Sequence, residues 1–229
     1  MRIAGIFVMV SLLAVPAIAG QAPAPPVIVT RGDASIKRAP DQAFVSIAAE
    51  TRAASSADAQ RTAAEAMKSV QTALAKAGLL PDAIRTTGYS LQPDMEYVNG
   101  RGRVRGYIVR NQIEVRVDDL SKLSGVIDAA GGSGATSMSG LRFDLKDRAA
   151  AQREALSQAV RDALGRARAL AAGGGVPLGS VLRIEDSGDV RPPMPYMAMR
   201  ADAGAAQTPI SPGEVEITAQ VTVTVRIGG

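Results

Sequence analysis

Hydrophobic and polar residues alternate without a fault from Glu214 to Ile227. Val215, Ile217, Ala219, Val221, Val223, Val225 and Ile227 fall on one side, with Glu216, Thr218, Gln220, Thr222, Thr224 and Arg226 on the other. A period of two is that of a strand with one buried and one wet face. The same pattern runs through Val104–Val117. There Tyr107, Val109, Asn111, Ile113, Val115 and Val117 share one face, and Arg110, Gln112, Glu114 and Arg116 share the other. With Ile84–Tyr97 this segment predicts a long hairpin around Asn99-Gly100-Arg101-Gly102. Further strands are expected over Val27–Ile36 and Ala43–Ala53, on either side of a Pro40-Asp41 turn. Two more are expected over Met138–Leu145, with Leu141, Phe143 and Leu145 inward, and over Val181–Asp186.

Three stretches change to a helical period. Ala63, Met67, Val70, Leu74 and Ala77 recur at steps of four and three. Ser55 and Asp58 stand at capping-box spacing before them, and Gly78 and Pro81 mark the end. A shorter helix is expected over Asp119–Ala130, with Leu120, Leu123, Ile127 and Ala130 inward and Gly131-Gly132-Ser133-Gly134 as its stop. Asp147 caps the longest, which runs to about Ala172 and carries Ala155, Ala159, Ala163, Ala167 and Ala171 at steps of four. A ridge of alanines offers little area per residue, so it holds only if it approaches its neighbour closely. The predicted order is β-β-α-β-β-α-β-α-β-β. Strand pairs mixed with single helices predict an α+β fold, an antiparallel sheet with helices packed on one face. A duplication of two αββ-like halves is one reading of that order.

The first 19 residues read as a secretory signal peptide. Arg2 supplies the positive start, Ile3–Val15 an apolar run, and Ala17-Ile18-Ala19 a small-x-small cleavage site. The run of about 13 residues falls short of the roughly 20 that a spanning helix needs. Residues 20–26 form a Pro/Ala linker, and 27–229 the domain, in which 187–213 is an irregular Pro/Met-rich loop. The expectation is a periplasmic or secreted protein, with no transmembrane anchor after cleavage.

Composition narrows the chemistry. The 229 residues include no Cys, no His and no Trp, and aromatics make up 3%. Ser-His-Asp and Cys-His nucleophile systems are excluded, as are ordinary zinc, haem and iron–sulfur sites. A formal net charge of +4 is mild for this length and argues against a dedicated nucleic-acid binder.

Certain residues carry a family resemblance that spans nearly all of the chain beyond the leader. They are Gly32-Asp33-Ala34, Pro40-Asp41-Gln42-Ala43, Ile84 to Pro93, Gly106-Tyr107, Asp118 to Leu123 and Ile127-Asp128-Ala129-Ala130. The Ala-rich helix with Gly175-Val176-Pro177-Leu178-Gly179 follows, and Pro209 to Glu216 completes the set. In this order they resemble the bacterial SIMPL-domain family, which includes periplasmic immunogenic proteins and oxidative-stress-defence proteins of the cell envelope. The resemblance implies an exported α+β protein with no established enzymatic activity, and the expectation is a protein that is not an enzyme. A relative forms a large ring-like, channel-shaped oligomer; here long regular strands leave edges to be paired and the 187–213 segment is long enough to reach a neighbour, so the expectation is a homo-oligomer of the cell envelope. The resemblance supplies no catalytic motif and no cofactor, and none is carried over.

Two clusters remain for chemistry. Met194, Met197 and Met199, with Tyr196 among them, present soft thioethers. These would suit Cu(I), an apolar ligand or reversible oxidation, and the plainer reading is a loop packed on the domain or on a neighbouring subunit. This cluster supports an alternative function, a periplasmic binding module. Arg101, Arg103 and Arg105 at the hairpin tip, with Arg110 nearby, would meet an anionic surface; the plainer reading is a solvated tip that resists edge-to-edge aggregation. Carboxylates at Asp94 and Glu96, and at Glu185, Asp186 and Asp189, lack EF-hand spacing. The glycine runs follow helices rather than opening them, and neither G-x-S-x-G nor Ser-x-x-Lys occurs.

Overall fold

A computed structural model describes residues 25–187 and 210–228. The expected signal peptide, most of the linker, and residues 188–209 of the Pro/Met-rich loop lie outside the described residues.

The elements follow in the predicted order. They are β1 (Val27–Arg38), β2 (Gln42–Ala53), α1 (Ser56–Lys76), β3 (Ile84–Val98), β4 (Arg101–Val117), α2 (Leu123–Gly131), β5 (Ser137–Asp144), α3 (Arg148–Gly173), β6 (Leu178–Asp186) and β7 (Val215–Ile227). The local signals act as read. The Ser55 hydroxyl accepts from the Asp58 amide at 3.1 Å, and Asp147 accepts from the Ala150 amide at 2.8 Å. The hairpin turn is tighter than expected. Only Asn99 and Gly100 lie between the strands, with φ of 52° and 76°, the left-handed pair of a type I′ turn, so Arg101 and Gly102 already belong to β4.

The fold is α+β, and its antiparallel strands divide into two sheets, ordered β1-β7-β6 and β3-β4-β2-β5. β1 and β2 are neighbours in sequence yet separate, because β1 pairs along its whole length with β7, from Val27 opposite Arg226 to Arg38 opposite Val215. The four-stranded lobe is one continuous stretch, 42–144, inserted between β1 and α3. Its β-α-β-β-α-β connectivity, with all neighbours antiparallel, is that of the ferredoxin-like split βαβ. Its ends are sheet partners, Gln42 opposite Asp144. The three-stranded lobe repeats the first part of that plan. β1-α3-β6-β7 has the order first-third-second, as β2-α1-β3-β4 does.

Each lobe has its own core. In the larger, Val45, Ile47, Ile113 and Val115 pack under Met67, Val70 and Leu74 of α1 and under Leu123 and Val126 of α2. In the smaller, the inward face of β7 meets the alanine ridge of α3, from Ala151 to Ala167, all buried. The ridge does approach closely. The Thr30 hydroxyl donates to the Ala163 carbonyl at 2.9 Å, and Gly32 lies directly beneath Ala159 and Ala163. The lobes are tied where the chain crosses. Gln42 Nε2 donates to the Leu145 carbonyl at 2.9 Å, and Ile210 packs on the larger core just before β7 enters the smaller sheet.

β5 departs from its expected single inward face. Leu141 is exposed, Phe143 packs against the larger core, and Leu145 joins the smaller one. The cause is a register shift opposite Phe44–Ser46 together with a left-handed Gly140 at φ 64°, which turn the strand partway along.

Gly165 lies within α3, and a Cβ there would meet nothing within 4 Å. Gly165→Ala is therefore expected to stabilise the chain by about 0.5–1 kcal/mol, read as a higher denaturation midpoint.

Candidate functional site

β2 pairs with β4 only as far as Ala53 opposite Tyr107. Beyond that point Met95–Val98 and Arg101–Arg105 continue as a two-stranded ribbon that stands clear of the sheet. Such a ribbon is marginal in water by itself. Arg101, Arg103 and Arg105 are all exposed on it. Arg103 lies opposite Glu96, and Arg105 pairs with Asp94 at 3.7 Å. Arg110 is not part of this group. It lies in the body of the sheet and pairs with Glu50 at 3.6 Å.

The helix-side face of the same hairpin was not singled out from the sequence. Tyr89, Leu91, Pro93, Met95 and Tyr97 occupy alternate positions of β3, register partners of Asn111, Val109, Tyr107, Val104 and Gly102. Met95 and Tyr97 reach over Gly102, where a Cβ would come within 3.1 Å and 3.3 Å of them. α1 packs over β2 and β4, and β3 lies beyond it at the edge of the sheet, so this row forms an open shelf about 26 Å long. Tyr89 is 57% exposed and Tyr97 74%. The period-two spacing of these residues was the available signal.

The opposite face of the four-stranded sheet carries a lattice of ion pairs. Glu114 meets Arg85 at 2.8 Å and Arg142 at 3.5 Å; Asp144 meets Arg142 at 3.4 Å and Arg148 at 3.1 Å. The Arg142 guanidinium also lies 3.9 Å from the centre of the Phe44 ring. Exposed pairs of this kind contribute little each. At the end of this sheet a cleft of about 170 Å³ is lined by Leu79, Leu80, Asp82, Arg116, Asp119 and Lys122. Arg116 is raised above its ordinary value, chiefly by its hydrogen bond to Asp118.

Asp119 is held below the ordinary aspartate value of 3.8, first by the Ser121 hydroxyl and then by the Ser121 amide. A carboxyl depressed on folding contributes stability above 3.8 and loses it as pH falls through the folded value. Asp119→Asn keeps an acceptor and removes the titration. Its urea midpoint is expected to fall slightly short of the parent's at neutral pH and to converge with it in acid.

Met194, Tyr196, Met197 and Met199 lie outside the described residues. Among the described residues no group of three or more His, Cys, Asp or Glu is placed to hold a metal ion, and no helix is long and apolar enough to cross a membrane.

The chain is thus a two-lobed α+β protein with a protruding ribbon and an exposed apolar row along one sheet edge. Residues 28–225 match the SIMPL family, described as a protein of unknown function (DUF541), and the chain belongs to it. It is 28% identical over 212 residues to the 26 kDa periplasmic immunogenic protein of Brucella melitensis, covering 87% of this chain and 84% of that one. It is 27% identical over 224 residues to the uncharacterized protein YggE of Escherichia coli K12, covering 95% and 91%. A YggE from Edwardsiella ictaluri is 26% identical over 189 residues, 82% and 79% of the two chains.

Proposed function

We propose that this protein works without catalysis, as an exported, oligomeric component of the cell envelope that serves oxidative or envelope stress defence. The observation that carries the oligomeric part is the shelf from Tyr89 to Tyr97, a contiguous row of aromatic and aliphatic side chains on an open sheet edge. Exposed apolar rows of this length mark contact surfaces, and open edges invite pairing. The periplasmic relative and the leader-like first 19 residues support export. The absence of Cys and His from the sequence supports a non-catalytic role. The stress connection rests on the family resemblance.

The test is the molar mass of the exported protein, purified from the periplasmic fraction, by size-exclusion chromatography with light scattering. A mass several times that of one chain is expected; a single-chain mass overturns the oligomeric reading. For the stress role, a strain lacking the gene is expected to lose viability under peroxide and to regain it on complementation. Equal survival of the two strains overturns that role. Turnover of an ester, peptide or glycan substrate that persists through repurification would overturn the non-catalytic one.

A further inference from the structure

The ribbon of Met95–Val98 and Arg101–Arg105 sorts its side chains onto two unlike faces. Register sets Met95 opposite Val104 and Tyr97 opposite Gly102, so these four share the helix-side face. Met95, Tyr97 and Val104 are all exposed there, as is Val98 at the tip. The other face carries Arg103 opposite Glu96 and Arg101 opposite Val98, with Arg105 at the register shift between Asp94 and Met95. Arg105 pairs with Asp94 at 3.7 Å, and among the described residues Arg101 and Arg103 form no ion pair. Three guanidinium groups against the two carboxylates of Asp94 and Glu96 leave this face cationic.

The chain leaves β2 over Gly106, where a Cβ would come within 2.6 Å of the Ala53 carbonyl oxygen, and this close crossing marks the base of the ribbon. Beyond it β3 runs on for the four residues Met95–Val98, roughly 13 Å of strand. That exceeds the roughly 5–10 Å by which an element lying in a membrane interface sinks its apolar face, so the ribbon can enter a headgroup layer while the sheet stays outside. Tyr and Arg suit such a layer. A Tyr ring rests on acyl chains with its hydroxyl in water, and an Arg stem lies along the apolar boundary with its guanidinium on phosphate. We propose that the β3–β4 ribbon docks on the surface of an anionic lipid bilayer, with Met95, Tyr97 and Val104 among the upper acyl chains and Arg101 and Arg103 on headgroup phosphates. Charge selects the lipid, because the cationic face gains far more from anionic headgroups than from neutral ones. The contact uses only the ribbon beyond Tyr107. Tyr89 to Pro93, on the body of the sheet, are left to the assembly proposed above.

The test is co-sedimentation of the exported protein with vesicles of three parts phosphatidylcholine to one part phosphatidylglycerol, and with vesicles of phosphatidylcholine alone. Binding to the anionic vesicles is expected, and much weaker binding to the neutral ones. Each arginine near an anionic surface is worth about fivefold in binding, so Arg101→Gln with Arg103→Gln is expected to weaken binding about thirtyfold, with melting temperature and molar mass unchanged. Arg101→Lys with Arg103→Lys keeps the charge and is expected to retain most of the binding. The sequence contains no Trp, so Tyr97→Trp places a single reporter on the ribbon. Its emission is expected to shift to the blue when anionic vesicles are added, and that of Tyr89→Trp, on the body of the sheet, to stay as it is. A reporter variant with a lowered melting temperature is replaced by Val98→Trp at the tip. A parent that ignores anionic vesicles or binds both kinds equally overturns the contact. So does parental binding by the Gln variant, or an equal shift from the two reporters. Binding lost together with a change in mass traces the loss to assembly and overturns it too. A single-chain parent that binds leaves the ribbon contact standing and overturns the oligomeric reading; a multi-chain parent that does not bind does the reverse.

Discussion

Replacing Gly32 by alanine is expected to lower stability by about 3 kcal/mol or more, at or beyond the top of the range for an overpacked core. The added Cβ would fall inside the Ala159 carbonyl oxygen and the Ala163 amide nitrogen, and within 2.8 Å of the Ala163 Cβ. Two of those obstacles are backbone, in the middle of a helix of 26 residues, and cannot rotate aside. The helix must lift, and lifting it opens the contact along the whole alanine ridge. Small side chains give that ridge its stability only through close approach, so a displacement of even part of an ångström forfeits much of the dispersion energy. It also stretches the hydrogen bond from Thr30 to the Ala163 carbonyl. For a chain of this size about 3 kcal/mol corresponds to a drop of roughly 6–12 °C in melting temperature. Gly165→Ala, in the same helix with empty space around it, is the control and should move the opposite way. If Gly32→Ala melts with the parent, α3 is not seated on β1 as described.

Gly32 also shows where sequence reasoning stopped. The alanine ridge was legible because four-residue spacing leaves few alternatives. Its five residues are buried as expected, and the spacing demanded a close neighbour without saying which. β7 was legible for the same reason: its inward positions from Val215 to Val225 are all buried. The partition into two sheets was not legible. A period of two says which face of a strand is buried and nothing about its partner. The decisive pairing, Val27 with Arg226, joins the two ends of the chain. The short passage through Pro40 and Asp41 looks like an ordinary strand connection, yet it crosses from one lobe to the other. At the candidate site, Arg101, Arg103 and Arg105 stood out because charge is conspicuous in a sequence. The row from Tyr89 to Tyr97 reads like any strand's buried face. That it is left open depends on α1 lying over β2 and β4, a tertiary fact with no local trace.

Ile113→Ala is expected to cost about 2–5 kcal/mol, and to cost it in one lobe. Ile113 is fully buried on β4, between Ile47 of β2 and Thr86 of β3, in the core beneath the helices of the four-stranded lobe. Truncation leaves a cavity among Ile47, Val70 and Leu74, whose positions are fixed by two neighbouring strands and a 21-residue helix, so the site has little room to collapse. The consequence for the rest of the chain follows from connectivity. The larger lobe is a continuous stretch whose ends are adjacent, and it meets the smaller at the two chain crossings, through the Gln42–Leu145 hydrogen bond, the Arg148–Asp144 ion pair and the seat of Ile210. The smaller lobe has its own core of β7, β1 and α3. Native-state hydrogen exchange is therefore expected to show protection falling across residues 42–144 in Ile113→Ala, with β1, α3 and β7 near their parental values. In Gly32→Ala the pattern should reverse. Equal loss throughout the chain in both variants would show that the two cores unfold as one cooperative unit, and that the seat of Ile210 and the crossings couple them more tightly than their separate packing implies.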